Sequence, residues 1–405
     1  MKTPTFDTLA ATVPLSRNDI PSWGKLCEWM PVLVPLDGCE QDAIHHAEGD
    51  VAIHTRMVIN ELVADPAWPD LDDHARFRLF WAAVLHDVGK PDTTKMVDGR
   101  WTSPNHSRVG SAIARRVLRE VGVPFDTREQ ICSIIAAHQT PFHLYGKDDR
   151  ERRAIALSLS LDPRELIMHA RADARGRICA DPDDLQMRLD LAELEFANLG
   201  CLDRPFPFGN DESRVAYFMS EGRNPFYEAH EAYDCEITVM SGLPGSGKDT
   251  WIAANRPGVP VVSLDTIREE LDVTAMDNQG GVEQAAKERV KEYLRTRTDF
   301  VFNTTNITLN MRGKILNLIR DYNRVCKARV TIVYIEPAPK TLMAQNGGRA
   351  QSVPPSVIDR LVRKLDPPRP WEAHEIVRIT PGIPSWDYAV SGPSEGTATR
   401  SRGRT

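Results

Sequence analysis

Glu236–Thr250 reads EITVMSGLPGSGKDT. An apolar run, Ile237 to Met240, leads straight into Gly242-Leu-Pro-Gly245-Ser246-Gly247-Lys248, and helix formers follow from Trp251 to Ala254. Strand, glycine loop, helix is the context in which backbone amides cradle phosphates. Gly242, Gly245 and Gly247, with Ser246 between the last two, let successive N–H groups point inward around phosphate oxygens. Lys248 reaches the outer phosphates, and the helix N-terminus adds its partial positive charge. The stretch predicts a site for ATP or another NTP. After such a lysine a Ser or Thr ordinarily places its hydroxyl on Mg²⁺, but here the residue is Asp249. Thr250 lies about 100° further round a helix and does not simply substitute. Asp249 is therefore expected to hold Mg²⁺ itself, directly or through water, since hard cations accept carboxylate oxygens.

Downstream, VPVVSLDTIREEL (259–271) reads as a β-branched strand running into a helix, with Asp265 and Arg268 one turn apart on a shared face. A carboxylate there can take a proton from an attacking hydroxyl, and the arginine can clamp a phosphate. DFVFNTTNIT (299–308) is a second strand ending in polar residues, TLNMRGKILNLIRDYN (308–323) a helix, and ARVTIVYIE (328–336) a further strand. This alternation implies a parallel sheet with ligands at its carboxyl edge. In QNGGRAQSVPPSVIDRLVRKLDPP (345–368), Gly347 and Gly348 can hinge a lid that brings Arg349 over the phosphates.

Upstream, from about Ala43 to Ala197, apolar residues recur at helical spacing in FRLFWAAVLHDVGK, SAIARRVLREVG and QICSIIAAH, which predicts an all-α domain. His86-Asp87 follows an apolar run and precedes the helix stop Gly89-Lys90-Pro91. Adjacent His and Asp at a helix end can aim two donor types at one ion, and His54, His106, His138 and Asp173 can supply the rest. Imidazole with carboxylate suits transition metals such as Mn²⁺, Co²⁺, Ni²⁺ or Zn²⁺ rather than Ca²⁺. His45 and His46, read as two helical turns before His54, are taken as bystanders.

Residues 40–195 resemble the HD-domain metal-dependent phosphohydrolases. The matching pieces are His54, LHDVGKP (85–91), NHSRVGSAIARRVL (105–118), IIAAHQTP (134–141) and MHARADARGR (168–177). The resemblance implies His54, His86, Asp87 and Asp173 as ligands of one cation and His106 and His138 as ligands of a second, with Lys90 near the substrate phosphate. The second half resembles the 5′-hydroxyl polynucleotide kinases, on the glycine loop, Asp265-x-x-Arg268, FNTTNIT and the segment VPPSVIDRLV. That resemblance implies Lys248 and Arg349 on the donor phosphates, Asp265 as general base and Arg268 on the acceptor's vicinal phosphate, with Arg312 a further candidate. Asp249 departs from the usual Ser, and Asn303 stands where many such kinases have Asp.

Composition agrees with a multidomain chain. Its 405 residues suggest two or three domains, and 41% hydrophobic with 26% charged content is ordinary for a globular protein. No apolar run approaches the roughly 20 residues of a membrane span. MKTPTFDTLAATVPLS lacks a secretory apolar core, and the seven cysteines are scattered, so a cytoplasmic location is expected. A net charge of −7 argues against a long nonspecific nucleic-acid footprint, though not against a strand end. The expected plan is a helical domain over 1–200, a linker over 201–235, a kinase domain over 236–385 and a disordered tail over 386–405. Within the linker a short helix falls near Val215–Glu221, and Phe206, Phe208, Phe226 and Tyr227 pack onto a domain rather than bind bases. Together the halves resemble bacterial two-domain end-healing enzymes, whose partners would be RNA or DNA ends and a downstream ligase. The alternatives are a small-molecule kinase fused to a nucleotide phosphohydrolase, and a nucleotide sensor with an idle HD domain.

Overall fold

The computed structural model describes residues 4–274, 277–349, 352–383 and 386. Backbone contacts gather them into two compact units, one holding 4–136, 171–180, 383 and 386, the other holding the described residues of 137–170 and 181–382. The chain is multidomain, helical in its first half and α/β with a parallel sheet in its second, as the periodicities predict.

In the first unit, helix Val51–Val63 begins where the Asp50 carboxylate accepts the Ile53 amide at 2.8 Å, and Asp72 caps helix Asp73–Leu85 in the same way at 2.7 Å. The first helix buries one stripe, including Val58, Ile59 and Leu62. The second is buried almost all round from Phe77 to Leu85. A helix without a solvent face runs through the interior, so His86 and Asp87, which follow it, are delivered to the core. Gly89 then passes so close to helix His106–Val121 that a Cβ would lie 2.2 Å from the His106 carbonyl oxygen and 2.5 Å from the Gly110 nitrogen. Only glycine permits this approach. Asp98 and Gly99 turn a hairpin, β1 (Lys95–Val97) and β2 (Arg100–Thr102), paired antiparallel. The expected tail falls outside the described residues except for Trp386, whose ring packs edge-on against Phe6 and Phe77.

The second unit is built on a five-stranded parallel sheet, order β4-β5-β3-β6-β7, made of β3 (Cys235–Gly242), β4 (Val261–Ser263), β5 (Phe300–Asn303), β6 (Ala328–Ile335) and β7 (Glu375–Ile379). β3 is central and nearly all buried, since helices cover both faces of such a sheet. Val290, Leu294, Ile315 and Ile319 pack one core with Ile237 and Val239, and Ile252 packs a smaller one with Met240 and Val333. The register aligns Asn303 with Met240 on one side and Ser263 on the other, so the strand ends share one edge.

Two sequence expectations change here. The segment read as a linker is an ordered part of this unit. Its helix is Asp211–Met219, capped by Asn210, and Phe206 and Tyr217 join Leu144, Ile155, Ile167 and Phe196 in one core. Phe218 stacks on Trp371 at 4.9 Å, and the Arg214 guanidinium donates to the carbonyls of Pro370 and His374. Phe208 packs in the same cluster, while Phe226 and Tyr227 remain exposed. Arg312, read as a nucleotide contact, is fully buried. Its Nε and Nη2 donate to the Glu372 carboxylate at 2.6 and 2.8 Å, and its Nη1 donates to the carbonyls of Asp366 and Asn306 at 2.7 and 3.2 Å. Burial and these four bonds take the guanidinium away from a phosphate, so it is an internal strut.

Removing one partner of a buried ion pair strands the other charge. Arg312→Met is therefore expected to cost about 3–5 kcal/mol, and R312M/E372L to recover much of that loss. Urea-unfolding curves of the two variants check this.

Candidate active sites

In the first unit His54, His86 and Asp87 are buried and offer ligand atoms within 4.8 Å of one another. His86 Nε2 lies 3.2 Å from one Asp87 oxygen, and His106 Nε2 lies 3.4 Å from the other. His54 Nε2 lies 3.9 Å from Asp87 and 3.1 Å from Asp173. Each imidazole turns its Nδ1 to a backbone carbonyl: His54 to Gly176 at 3.1 Å, His86 to Ala83 at 2.8 Å and His106 to Ser103 at 2.8 Å. A carbonyl only accepts, so Nδ1 carries the proton in each and the inward Nε2 keeps its lone pair when the ring is neutral. Such a donor set fits a divalent transition metal, with the carbonyls fixing ring orientation.

Desolvation opposes charge on Asp87, yet His86 and Lys90 outweigh it and hold the carboxyl well below its usual range. For His54 desolvation pulls downward, but Asp173 and Glu48 together raise it. Lys90 Nζ, almost buried, lies 2.7 Å from Asp87 and donates to Gln41 at 2.6 Å. Two of its three donors are engaged in these contacts.

Three neighbours escaped the sequence reading. Residues 42–50 form turns rather than helix, so the helical spacing that made His46 a bystander does not apply. His46 Nδ1 lies 2.8 Å from Glu48, and its ring centroid lies 4.7 Å from that of His54. Burial pushes His46 down to about 4. Glu48 also approaches His54 Nδ1 at 3.0 Å and accepts the Ile178 amide at 2.9 Å. Arg177 grips both Asp173 oxygens, at 3.0 and 2.5 Å, as its i+4 spacing could have suggested. His45 is exposed. His138 belongs to the second unit, where it is fully buried with its ring 6.2 Å from that of His169.

In that unit the phosphate loop closes on β3. Gly242 has φ +159°, and a Cβ there would lie 2.6 Å from the Ile335 carbonyl oxygen and 2.7 Å from Ser246 Oγ. Gly245 packs against Asn346, whose side chain exchanges hydrogen bonds with the Val353 backbone. Lys248 Nζ folds back to donate to the carbonyls of Gly242 and Leu243, at 3.0 and 2.9 Å. Desolvation lowers Lys248 to about 8, with Asp249, Arg349 and Asp265 all close enough to act on it. Three of the sequence candidates of this half, Asp249, Asp265 and Arg349, therefore lie within electrostatic range of one lysine. Asp249 and Thr250 are exposed on the first turn of helix Lys248–Asn255. Asp265 opens helix Leu264–Leu271 with its side chain 78% exposed, paired to Arg268, which also donates to Gln279 at 2.7 Å. Arg349 is half-buried, and residues 350 and 351 lie outside the described ones.

Residues 51–175 match the family model described as HD domain, and residues 237–368 match the one described as AAA domain. Among curated proteins the chain is similar to a Multifunctional CCA protein of Halorhodospira halophila, 33% identical over 38% of this chain and 36% of that protein. It is similar to an A-adding tRNA nucleotidyltransferase of Deinococcus radiodurans, 30% identical over 36% of this chain and 32% of that one. It is also similar to an L-seryl-tRNA(Sec) kinase of Methanococcus maripaludis, 22% identical over 36% of this chain and 58% of that one. The chain thus spans about a third of the length of the first two. An HD domain therefore precedes a P-loop domain of kinase-like architecture. No helix among the described residues is long and apolar enough to cross a membrane.

Two outcomes follow from the geometry. A bound polyphosphate favours the charged form of Lys248, which is lost as pH rises through about 8. Nucleotide affinity should thus be highest below that pH and fall about tenfold by about pH 9, measured calorimetrically. Replacing Glu48 by Gln removes the carboxylate behind His54, and Mn²⁺ affinity of the full chain, read by electron spin resonance, should drop about 10–100-fold.

Proposed function

We propose that this chain heals broken nucleic-acid ends, removing a 3′- or 2′-phosphate in the first unit and adding a 5′-phosphate in the second. The observation that carries the reading is the occurrence, in one polypeptide, of a buried imidazole–carboxylate pocket and a phosphate loop with Asp265 and Arg268 beside it. Each reaction treats one side of a break, and together they leave the 3′-hydroxyl and 5′-phosphate that a ligase joins. The names of two relatives include tRNA, which favours a nucleic-acid substrate.

In the first unit His54, His86, Asp87 and Asp173 are the proposed ligands, with His106 on the far oxygen of Asp87 a candidate for a further cation. A bound Mn²⁺, Co²⁺, Ni²⁺ or Zn²⁺ would supply Lewis acidity and an acidified water. The chain's own part is to hold the lone pairs inward through the three Nδ1–carbonyl bonds and to offer the remaining Lys90 donor to a phosphoryl oxygen. In the second unit the 5′-hydroxyl oxygen attacks the γ-phosphorus and gives its proton to Asp265, as the bond to the bridging oxygen breaks and the diphosphate leaves. Arg268 holds the acceptor's neighbouring phosphate, and Lys248 and Arg349 balance charge on the donor.

Labelled ATP offered to 5′-hydroxyl RNA or DNA, seryl-tRNA, nucleosides and sugars separates this reading from its rivals. Label only on small molecules would point to a small-molecule kinase, and label only on the seryl group to an aminoacyl-tRNA kinase. No phosphate released from a 3′-phosphate oligonucleotide with Mn²⁺ or Ni²⁺ would make the HD domain a sensor. Asp265→Ala should lower phosphate transfer about 10²–10⁴-fold and spare phosphate release, whereas Asp87→Ala should do the reverse.

A further inference from the structure

Asn303 ends β5 and is 9% exposed, locked between Met240 of β3 and Ser263 of β4. Its Nδ2 donates to Asp249 Oδ1 at 2.7 Å. With the amine turned that way, the amide oxygen points elsewhere, and it is buried without a hydrogen-bond partner among the described residues. Ser246 Oγ, in a residue 2% exposed, is likewise without one, and it sits over the first glycine of the loop. Buried polar atoms left unsatisfied are rare and costly, and a ligand that completes them is one reason proteins keep them.

The missing partner can be specified. A serine hydroxyl can donate to a phosphate oxygen. An amide oxygen only accepts, so its partner must bring an N–H or O–H or be a cation. Asp249 keeps a second carboxylate oxygen, on an exposed turn beside Lys248. A phosphate chain carrying a hydrated divalent cation meets all three demands.

We infer that Asp249 and Asn303 are a displaced cation-anchoring pair, in which the helix carboxylate of Asp249 grips the Mg²⁺ of a bound nucleotide and the strand-end amide of Asn303 orients it. The inference rests on the nucleotide reading of the second unit. It joins Asp249 on the helix after the loop and Asn303 at the end of β5 into one arrangement, because a carboxylate at both positions would set like charges at hydrogen-bond distance. A neutral amide at 303 leaves one negative charge and aims it. Asn303 is thus a positioning residue, and Asp249 contacts the cation.

Calorimetric titration of the full chain with the β,γ-imido analogue of ATP, in excess Mg²⁺ and separately in EDTA, tests the pair. The native chain should bind at least about tenfold more tightly with Mg²⁺, as a charge-assisted contact implies. Asp249→Asn should bring that ratio to about one while affinity in EDTA holds or improves, since a charge beside the phosphates is gone. Asn303→Ala should lower the ratio several-fold at unchanged affinity in EDTA, and D249S/N303D should restore what D249S loses. A native Mg²⁺ ratio in D249N overturns the inference alone. Failure of the native chain to bind nucleotide in either buffer overturns the nucleotide reading and the pair with it. Asp249 is exposed, so D249N is expected to fold, and its thermal melt confirms that the comparison is valid.

Discussion

A carboxylate almost wholly sealed from solvent, Asp87, is the constraint that organises the first unit. An ion there without partners would cost several kcal/mol. Two imidazoles and an ammonium lie within 3.4 Å of it, and a third imidazole lies at 3.9 Å. The long buried helix Asp73–Leu85 places the carboxylate in the interior, and the tight pass of Gly89 over His106 and Gly110 brings one of those imidazoles to it. The same packing that makes the charge tolerable also aims lone pairs at a common point, and this is what gives the pocket its capacity for a cation.

The second unit handles charge in the opposite way. Its polar groups sit at the carboxyl edge of a parallel sheet, where loop amides and a helix N-terminus face outward and side chains reach solvent. Lys248 rests on loop carbonyls while retaining Asp249, Asp265 and Arg349 within electrostatic range. Rigidity behind this edge comes from buried contacts. The Arg312–Glu372 clamp ties Asp366 and Asn306 together, and Asn306 in turn donates to the Met240 carbonyl just ahead of the loop. The open edge can therefore exchange ligands while its support stays fixed.

These two ways of holding charge suit different chemistry. Buried imidazoles with inward lone pairs favour a tightly bound transition metal, whereas an open loop favours a nucleotide that comes and goes with its own Mg²⁺. Both occur in one chain, which joins an HD domain to a P-loop domain.

Much was legible in the sequence because it is written locally. The glycine loop, the strand–helix alternation, the apolar helix leading to His86-Asp87 and the Asp265–Arg268 spacing each depend on residues a few positions apart, and local geometry follows from local order. What tertiary structure alone decided depends on residues far apart in the chain. Glu48 joins His54 because a turn folds back and Ile178 binds it across 130 residues. Arg312 became a strut because Glu372 meets it 60 residues later. The apparent linker became core because Phe206 and Tyr217 found Leu144 and Phe196. Asp249 and Asn303 each stood out by type, but their contact spans 54 residues. Spacing determines which side chains share a helix face or a strand end, whereas the partners of a buried charge are chosen by packing between distant segments.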